Sequence, residues 1–285
     1  MVLLCLNMAV LWDTMLTSIS WFTLEEFGKD FRETYLPPKV NDLAGRDVKL
    51  YYSDNGDVEH FSFKDGDLVT WYLLPKSAGE RGEPCSGRYV AFRARNGIYL
   101  VDITGDAFPR RSLTLVLDFG KDIFTSILCE IPLPSSKTLL DRIRSGEELT
   151  DVKVAFRHGS IDRPPSSETP RHEKTEELLG KRVEFQYGPK AVYEHIYFER
   201  LFTWHCLTGT EKGLADTDRA DYFKLSDNLY LLVWREKIIP TMGVEIVDLS
   251  EMRAFGKLFG YASLDGASLG NVYVGARLRV VCRAR

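Results

Sequence analysis

Apolar and polar residues alternate in short runs along most of the chain, and Gly, Asn or Asp residues separate the runs. A period of two is typical of strands that bury one face. The sequence therefore predicts strands of five to nine residues from about residue 43 to the C-terminal end.

The segment before these strands has a different pattern. Leu24, Phe27 and Phe31 recur at helical spacing, and Thr23 precedes them as a candidate N-cap followed by two acidic residues. We therefore predict a helix over residues 15–35 whose two phenylalanines are buried against the folded body.

The chain also contains an internal repeat, found as five matches in the same order. The matching pairs are 43–61 with 178–196 at a constant offset of 135, 70–71 with 203–204, 95–101 with 226–232, 115–118 with 245–248, and 151–157 with 271–277. Such order is typical of a duplicated structural unit. The sequence thus predicts two copies of one all-β unit, at about 43–160 and 178–283.

Each copy has about eight strands at the spacing of an antiparallel meander, and closure into a barrel removes exposed sheet edges. The predicted fold class is all-β, with two tandem antiparallel calycin- or lipocalin-like barrels and a short N-terminal helix. A β-sandwich, or one continuous sheet made from both copies, is the alternative. The predicted division is a lead segment at 1–40, a first barrel at 41–165, a solvated linker at 166–177 and a second barrel at 178–285.

Composition narrows the function classes. The net charge of −4 argues against a nucleic-acid partner, which requires basic surface. The five cysteines are widely scattered, so neither a disulfide framework nor a zinc site is predicted. Residues 1–12 are apolar, but they are too few for a membrane span and lack the basic flank of a signal peptide. We expect this segment to dock on the folded body of the chain. We also expect a cytoplasmic protein without a membrane span, and we leave homodimer formation open.

One acidic segment resembles a metal loop. Asp216, Asp218 and Asp221 lie within seven residues, but the segment lacks the glycine and the final glutamate of a calcium loop. The sequence therefore predicts a solvated turn there, and no metal or organic cofactor.

A duplicated unit allows the two copies to be compared position by position. Leu113, Leu115 and Leu117 share one strand face, which we predict to point inward. The matching positions of the second copy include Glu245, which stands where the first copy has Leu115. Since an interior carboxylate is unfavourable unless it is paired, folding alone does not account for this change.

Other differences also concentrate in the second copy. Glu236 replaces Gly105, and the remaining changes are Arg235 for Thr104, His205 for Tyr72, Tyr222 for Ala91 and Tyr193 for Val58. Glu194 and His195 match Glu59 and His60, so these two positions are shared. On residues 193–199 we predict that Glu194, Ile196 and Phe198 face inward and that His195 and Tyr197 face outward, unless the faces shift by one residue.

These residues could support proton transfer on an apolar molecule, because burial raises a carboxyl pKa towards neutral pH. The candidate catalytic residues are Glu245, Glu194, His205 and Glu236. The candidate substrate-binding residues are Trp204, Tyr222, Tyr230, Trp234, Tyr193, His195 and Arg235. Alternatively, Glu245 forms a structural ion pair with Arg235, His205 is a structural histidine, and the tryptophans are barrel core.

The segment LFTWHCLTGTEKGLADTDRADYFKLSDNLYLLVWREKIIPTMG, from residue 201 to residue 243, resembles the MoaF family. The resemblance implies an N-terminal and a C-terminal domain that correspond to the two repeats, and calycin-like barrels. By analogy with barrel enzymes that decarboxylate phenolic acids or cyclise natural products, it favours specialised metabolism. We expect a cofactor-independent lyase, isomerase or cyclase that acts on a hydrophobic aromatic or terpenoid molecule. A ligand-binding barrel without catalysis is the alternative, and a purely structural duplication is a third.

Overall fold

In the computed structural model of the 285-residue chain, residues 20–75, 82–105 and 109–283 are described. The predicted docking of the apolar segment 1–12 lies outside these residues. The described chain begins with a short α1, Leu24–Phe27, which continues as a 3₁₀ turn, Gly28–Phe31. The Glu26 carboxylate accepts hydrogen bonds from the Thr23 backbone N–H (2.8 Å) and hydroxyl (2.9 Å), and this closes the N-terminus of α1.

The helix is shorter than the predicted range of 15–35 but is buried as predicted. Phe27 and Phe31 are 8 % and 6 % exposed, and both belong to the core of the second barrel. Beyond the 3₁₀ turn the chain is extended, and the Tyr35 N–H donates to the carbonyl oxygens of Tyr187 (3.2 Å) and Gly275 (3.1 Å). These contacts with the barrel end the helical segment early.

Eight antiparallel strands close into the first barrel. They are β1 Asp47–Tyr52, β2 Val58–Phe63, β3 Leu68–Leu74, β4 Cys85–Arg95, β5 Ile98–Thr104, β6 Arg111–Asp118, β7 Ile123–Glu130 and β8 Lys153–Ile161. A two-turn helix, α2 Leu139–Ser145, joins β7 to β8. Leu113, Leu115 and Leu117 of β6 lie in the barrel interior, as predicted.

The second barrel follows the same plan and has one added strand. Its strands are β9 Glu173–Lys174, β10 Lys181–Gln186, β11 Val192–Tyr197, β12 Leu201–Thr208, β13 Ala215–Ser226, β14 Leu229–Glu236, β15 Thr241–Asp248, β16 Arg253–Tyr261 and β17 Leu269–Arg283. Pairing of β12 with β13, and of β10 with β17, closes the eight strands β10–β17. The two predicted antiparallel eight-stranded barrels are thus confirmed.

The linker between the barrels is less solvated than predicted. Its β9 pairs with β13, and His172 just before β9 is 1 % exposed. The His172 Nδ1 lies 2.8 Å from the Thr125 hydroxyl of the first barrel, so part of the linker is fixed between the two units.

The outer faces of the two barrels form a shared core. Phe92, Leu100 and Val116 of the first barrel pack in one cluster with residues of β14–β16 such as Val244 and Phe255. Strand β15 is buried along its whole length because one face lines the second barrel and the other faces the first. Within this interface the Lys257 ammonium is buried in an ion pair with Asp102.

The strand pairing corrects the predicted alignment of the repeat. In the first barrel Val48 pairs with Phe61, whereas Val183 at the matching position pairs with His195. The turn between β10 and β11 is one residue shorter than its counterpart, since the Tyr187 N–H donates to Ala191 while the Tyr52 N–H donates to Asp57. His195 therefore corresponds to Phe61, not to His60.

This one-residue difference reverses the predicted faces of β11. His195 and Tyr197 point into the second barrel and are 3 % and 0 % exposed, whereas Phe198 is 47 % exposed. The predicted inward orientation of Glu194, Ile196 and Phe198 is wrong, because a slip of one residue moves every side chain of a strand to its other face. The last repeat match is also displaced: by pairing, residues 151–157 correspond to 268–274 rather than 271–277.

Candidate functional site

A small cavity lies inside the second barrel, where the N-terminal segment covers the barrel mouth. Its volume is about 40 Å³, which is room for water rather than for a larger molecule. The lining residues are Phe27, Phe31, Tyr187, Tyr193, His195, Phe202, Trp204, Glu211, Trp234, Glu236 and Leu258. Aromatic side chains thus form most of the wall, and two carboxyl groups reach it.

The N-terminal segment supplies the cover of this cavity. The Phe31 ring packs edge-on against Tyr187, with ring centroids 5.3 Å apart, and it stacks near Tyr193 at 6.4 Å. Behind it, the Asp30 carboxylate accepts a hydrogen bond from the Thr210 backbone N–H (2.5 Å). The segment is therefore held both by aromatic packing and by the loop between β12 and β13.

The wall residue Trp234 depends on a glycine in the next strand. A Cβ atom added to Gly243 would lie 2.1 Å from the Trp234 indole. Strand pairing places Trp234 at the position of Ile103 and Gly243 at the position of Leu113. A large and a small residue in the second barrel thus replace two medium ones in the first, and the exchange brings an indole to the cavity.

Two carboxyl groups at the mouth accept hydrogen bonds from the wall tryptophans. The Trp234 Nε1–H donates to Glu236 (3.0 Å), and the Trp204 Nε1–H donates to Asp218 (3.2 Å). Burial, together with the neighbouring Asp218 carboxylate, raises the pKa of Glu236 well above its usual value. Burial and the nearby Asp216 raise the pKa of Asp218 to about 6, although the Lys237 ammonium partly offsets the increase. By strand pairing, Glu236 and Asp218 stand where the first barrel has Gly105 and Gly87.

A third carboxyl group comes from the loop between β12 and β13. Glu211 is 8 % exposed and accepts a hydrogen bond from the Tyr193 hydroxyl (2.8 Å). Burial raises the pKa of Glu211 to about 7, and the nearby Asp30 charge adds to the effect. Glu211 is thus partly protonated at neutral pH, which is the state required of a general acid or base.

A cluster of polar side chains around Glu245 lies deeper in the same barrel. Glu245 is fully buried, and its Oε1 accepts a hydrogen bond from the Tyr187 hydroxyl (2.7 Å). Burial raises the pKa of Glu245 to about 7. Among the described residues, Glu245 Oε2, the Tyr197 hydroxyl and His195 Nδ1 have no hydrogen-bond partner. Because burial lowers the pKa of His195 to about 3, its imidazole is neutral at pH 7.

The first barrel contains a related pair. The Tyr52 hydroxyl donates to Glu59 (2.6 Å), and Tyr52 corresponds to Tyr187. A carboxyl group bonded to a barrel tyrosine is therefore present in the first copy too, although Leu115 keeps the position of Glu245 apolar there. The difference is its location, since Glu59 is on β2 and Glu245 is on β15, at the position of Leu115.

The structure brings several predicted residues together at the cavity. Trp204, Trp234, Tyr193, His195 and Glu236 line it directly. Glu245 lies behind Tyr187 and reaches the cavity through that hydroxyl.

Two predicted wall residues are inside the barrel but face elsewhere. The Tyr222 hydroxyl donates to the carbonyl oxygen of Leu201 (2.7 Å), and the Tyr230 hydroxyl donates to Glu177 (2.7 Å). Both are core residues of the second barrel and lie outside the cavity lining.

Three predicted site residues point away from the cavity because they alternate with inward-facing neighbours. Glu194 forms an ion pair with Arg182 on the outer side of the barrel. His205 is half-buried on the outer face of β12. Arg235 pairs with Asp221 (2.8 Å), so the alternative of a structural Glu245–Arg235 ion pair is wrong.

The acidic segment 215–221 forms part of strand β13, so the predicted solvated turn is wrong. Asp216 and Asp218 both pair with Lys237, and Asp221 pairs with Arg235 and Lys174. The three carboxylates of this segment are thus all engaged with lysine or arginine. Within residues 20–75, 82–105 and 109–283, no group of three His, Cys, Asp or Glu side chains could hold a metal ion.

Sequence comparison of the copies missed Glu211 and Tyr187. Glu211 lies in the loop at 209–214, which is outside the five matched segments of the repeat. Tyr187 is a tyrosine in both copies, and the comparison searched for differences. A search for tyrosines shared by both copies would have found it.

None of the helices in the described part of the chain has the length and apolar character needed to cross a membrane.

Comparisons with known proteins place both barrels in one family. The model of the MoaF N-terminal domain matches residues 19–133, and that of the MoaF C-terminal domain matches residues 172–284. Protein MoaF of Klebsiella aerogenes is 36 % identical over 240 residues, which cover 84 % of this chain and 86 % of that protein.

Among solved structures, a "putative beta-lactamase" from Burkholderia vietnamiensis shares 21 % identity at a TM-score of 0.32, over 38 % of this chain and all of the other. At that TM-score the likeness supports no argument. The two domain matches and the full-length relative, in contrast, follow the two barrels in order, and the chain belongs to the MoaF family.

Proposed function

We propose that the second barrel, with Phe31 displaced from its mouth, binds a small, largely apolar aromatic molecule and transfers a proton on it, as a lyase, isomerase or cyclase would. The observation that supports this proposal is the position of Glu211 and Glu236, two carboxyl groups of raised pKa, in a cavity walled by Trp204 and Trp234. Aromatic walls with a few converging polar groups are typical of small-molecule sites. Titratable groups shifted towards neutral pH are typical of catalytic ones.

The residues have separate roles in this proposal. Glu211, with a pKa of about 7, acts as the group that gives or takes the proton. Glu236 is held by the Trp234 indole N–H and supplies the second carboxyl at the same cavity. The neutral His195 and the Tyr187 hydroxyl orient polar atoms of the substrate, and Glu245 holds Tyr187 in place.

A binding barrel without catalysis is the second candidate. It is favoured by the hydrogen bonds of the carboxyl groups, since Tyr193 and Trp234 already satisfy Glu211 and Glu236 in part. In that function the carboxyl groups order the aromatic wall and do not exchange protons with the ligand.

Deuterium incorporation distinguishes the two candidates. Full-length protein is incubated in D₂O with the small-molecule fraction of the source cells, and mass spectrometry follows both conversion and isotope content. Proton transfer predicts a compound that gains deuterium or changes structure with the wild type and not with Glu211→Gln. The matched control is Glu184→Gln, on the outer surface in an ion pair with Arg279. A compound retained with unchanged structure and isotope content would support the binding barrel, and neither retention nor conversion would contradict both.

A further inference from the structure

The cavity has acidic side chains without a cationic counterpart. Its eleven lining residues include two carboxyl groups and no lysine or arginine. Glu211 and Glu236 accept hydrogen bonds from neutral donors, and among the described residues neither forms an ion pair. The nearby Lys237 ammonium is engaged with Asp216 and Asp218. A ligand that enters this cavity therefore meets acidic groups without cationic partners.

The wall offers the surfaces that cations prefer. Trp204, Trp234 and Tyr193 lie together on the lining, and the Tyr193 and Trp204 ring centroids are 6.3 Å apart. Aromatic faces attract ammonium groups, and indoles do so most strongly. The acidic groups and the aromatic rings of this cavity thus both favour a positively charged ligand.

The ring of Phe31 already occupies the place that the ring of an aromatic ligand would take. Phe31 enters the barrel mouth from the N-terminal segment. It packs edge-on against Tyr187 and stacks on Tyr193. The small cavity of about 40 Å³ is the space that this ring and Phe27 leave open. Displacement of the segment would vacate a site at Phe31 with the size of a phenyl group, beside Tyr187 and Tyr193.

A further polar atom points to a ligand independently of the carboxyl groups. His195 lines the cavity and is 3 % exposed, and its Nδ1 has no partner among the described residues. Buried polar atoms in folded proteins are nearly always hydrogen-bonded. A polar substituent on the ligand would supply the missing partner.

From these contacts we infer that the second barrel recognises an aromatic amine, with its ring in the place of the Phe31 ring and its ammonium group between Glu211 and Glu236. The inference rests on the proposed function, because it names the substrate class of the same site. Anionic ligands are disfavoured because they would meet two acidic side chains and no cation. A neutral hydrocarbon would offer the carboxyl groups neither a hydrogen bond nor an ion pair.

A charge series tests the inference. Three compounds share one ring and differ in charge: 2-phenylethylamine, 2-phenylethanol and 3-phenylpropanoate. Each is titrated at pH 8 into the full-length protein, and binding is followed by calorimetry. The amine should bind at least about ten-fold more tightly than the alcohol, and the carboxylate should bind most weakly.

Variants connect the charge preference to particular residues. Glu211→Gln and Glu236→Gln should each weaken amine binding about ten-fold and leave alcohol binding unchanged, whereas Glu184→Gln should change neither. Phe31→Leu should strengthen binding of the ring compounds, because it frees part of the ring site. Amine binding to the wild type should also weaken as the pH falls below about 7, where Glu211 becomes protonated.

The outcomes separate the inference from the proposed function. If the alcohol binds as tightly as the amine, or if the glutamine variants retain the amine preference, the inference is overturned and the aromatic pocket stands. If none of the three compounds binds the wild type or Phe31→Leu, both the inference and the proposed pocket are overturned.

Discussion

Replacing Glu245 by glutamine should remove a pH-dependent penalty from the second barrel. Glutamine keeps an oxygen that can accept the hydrogen bond from the Tyr187 hydroxyl, and it has nearly the same shape as glutamate. It cannot ionise, however. The variant therefore isolates the effect of a charge at a fully buried position.

The magnitude follows from the shift in pKa. Burial raises the pKa of Glu245 from 4.5 to about 7, so the folded protein holds a proton that the unfolded chain has released between these values. Folding stability contributed by this residue is consequently lost as the pH rises from 4.5 to about 7. At about 1.4 kcal/mol per pKa unit, the full loss above pH 7 is roughly 3 kcal/mol. Glu245→Gln should thus be close to the wild type at pH 5 and roughly 3 kcal/mol more stable at pH 8.

Urea unfolding at pH 5 and pH 8, followed by far-ultraviolet circular dichroism, measures the two stabilities. Glu184→Gln is the control, because that exposed ion pair with Arg279 should contribute about 1 kcal/mol or less at both pH values. Equal stability of Glu245→Gln and the wild type at pH 8 would refute the reasoning. A variant destabilised at both pH values would show instead that ionised Glu245 has a favourable partner.

Three further changes test the packing. Gly243→Ala should destabilise the protein by about 1–3 kcal/mol and alter tryptophan fluorescence, since the added methyl group overlaps the Trp234 ring. Unchanged fluorescence would contradict the close contact between the indole and Gly243. Lys257→Met should destabilise the protein by about 3–5 kcal/mol in thermal or urea unfolding, because it leaves Asp102 buried between the barrels without its cation. An unchanged stability would argue against a close interface. Phe31→Ala should destabilise by up to about 3–5 kcal/mol and increase cleavage by protease within the N-terminal segment, and wild-type resistance to cleavage would contradict its role as the cover.

The barrel architecture could be predicted from the sequence because period-2 alternation and the repeat indicate it independently. The inward face of β6, with Leu115 at its centre, and the position of Glu245 in β15 were both predicted correctly. The contact between the barrels could not be predicted in the same way. Strand β15 is buried along both faces, although it includes Thr241, Glu245 and Asp248, and its sequence does not reveal what covers the second face.

The candidate site was only partly predictable because strand register depends on turn length. His195 was assigned to the outer face since the two copies align there without a gap in sequence, but a turn shorter by one residue points it inward. Glu211 was missed because it lies in a loop outside the five matched segments of the repeat. The contribution of Phe31 to the wall depends on how the N-terminal segment crosses the barrel mouth, which local sequence patterns do not specify.

The central claim is that ligand binding occurs in the second barrel and not in the first. Trp204 and Trp71 occupy equivalent positions in the two barrels, so their indole N–H signals in nuclear magnetic resonance spectra report on each barrel separately. The signals are assigned with tryptophan-to-phenylalanine variants, and the three ring compounds are then added in turn to the full-length protein. We predict that at least one compound shifts the Trp204 and Trp234 signals and leaves the Trp71 signal in place. A shift of Trp71 alone, or no shift of any indole with any compound, would contradict the claim.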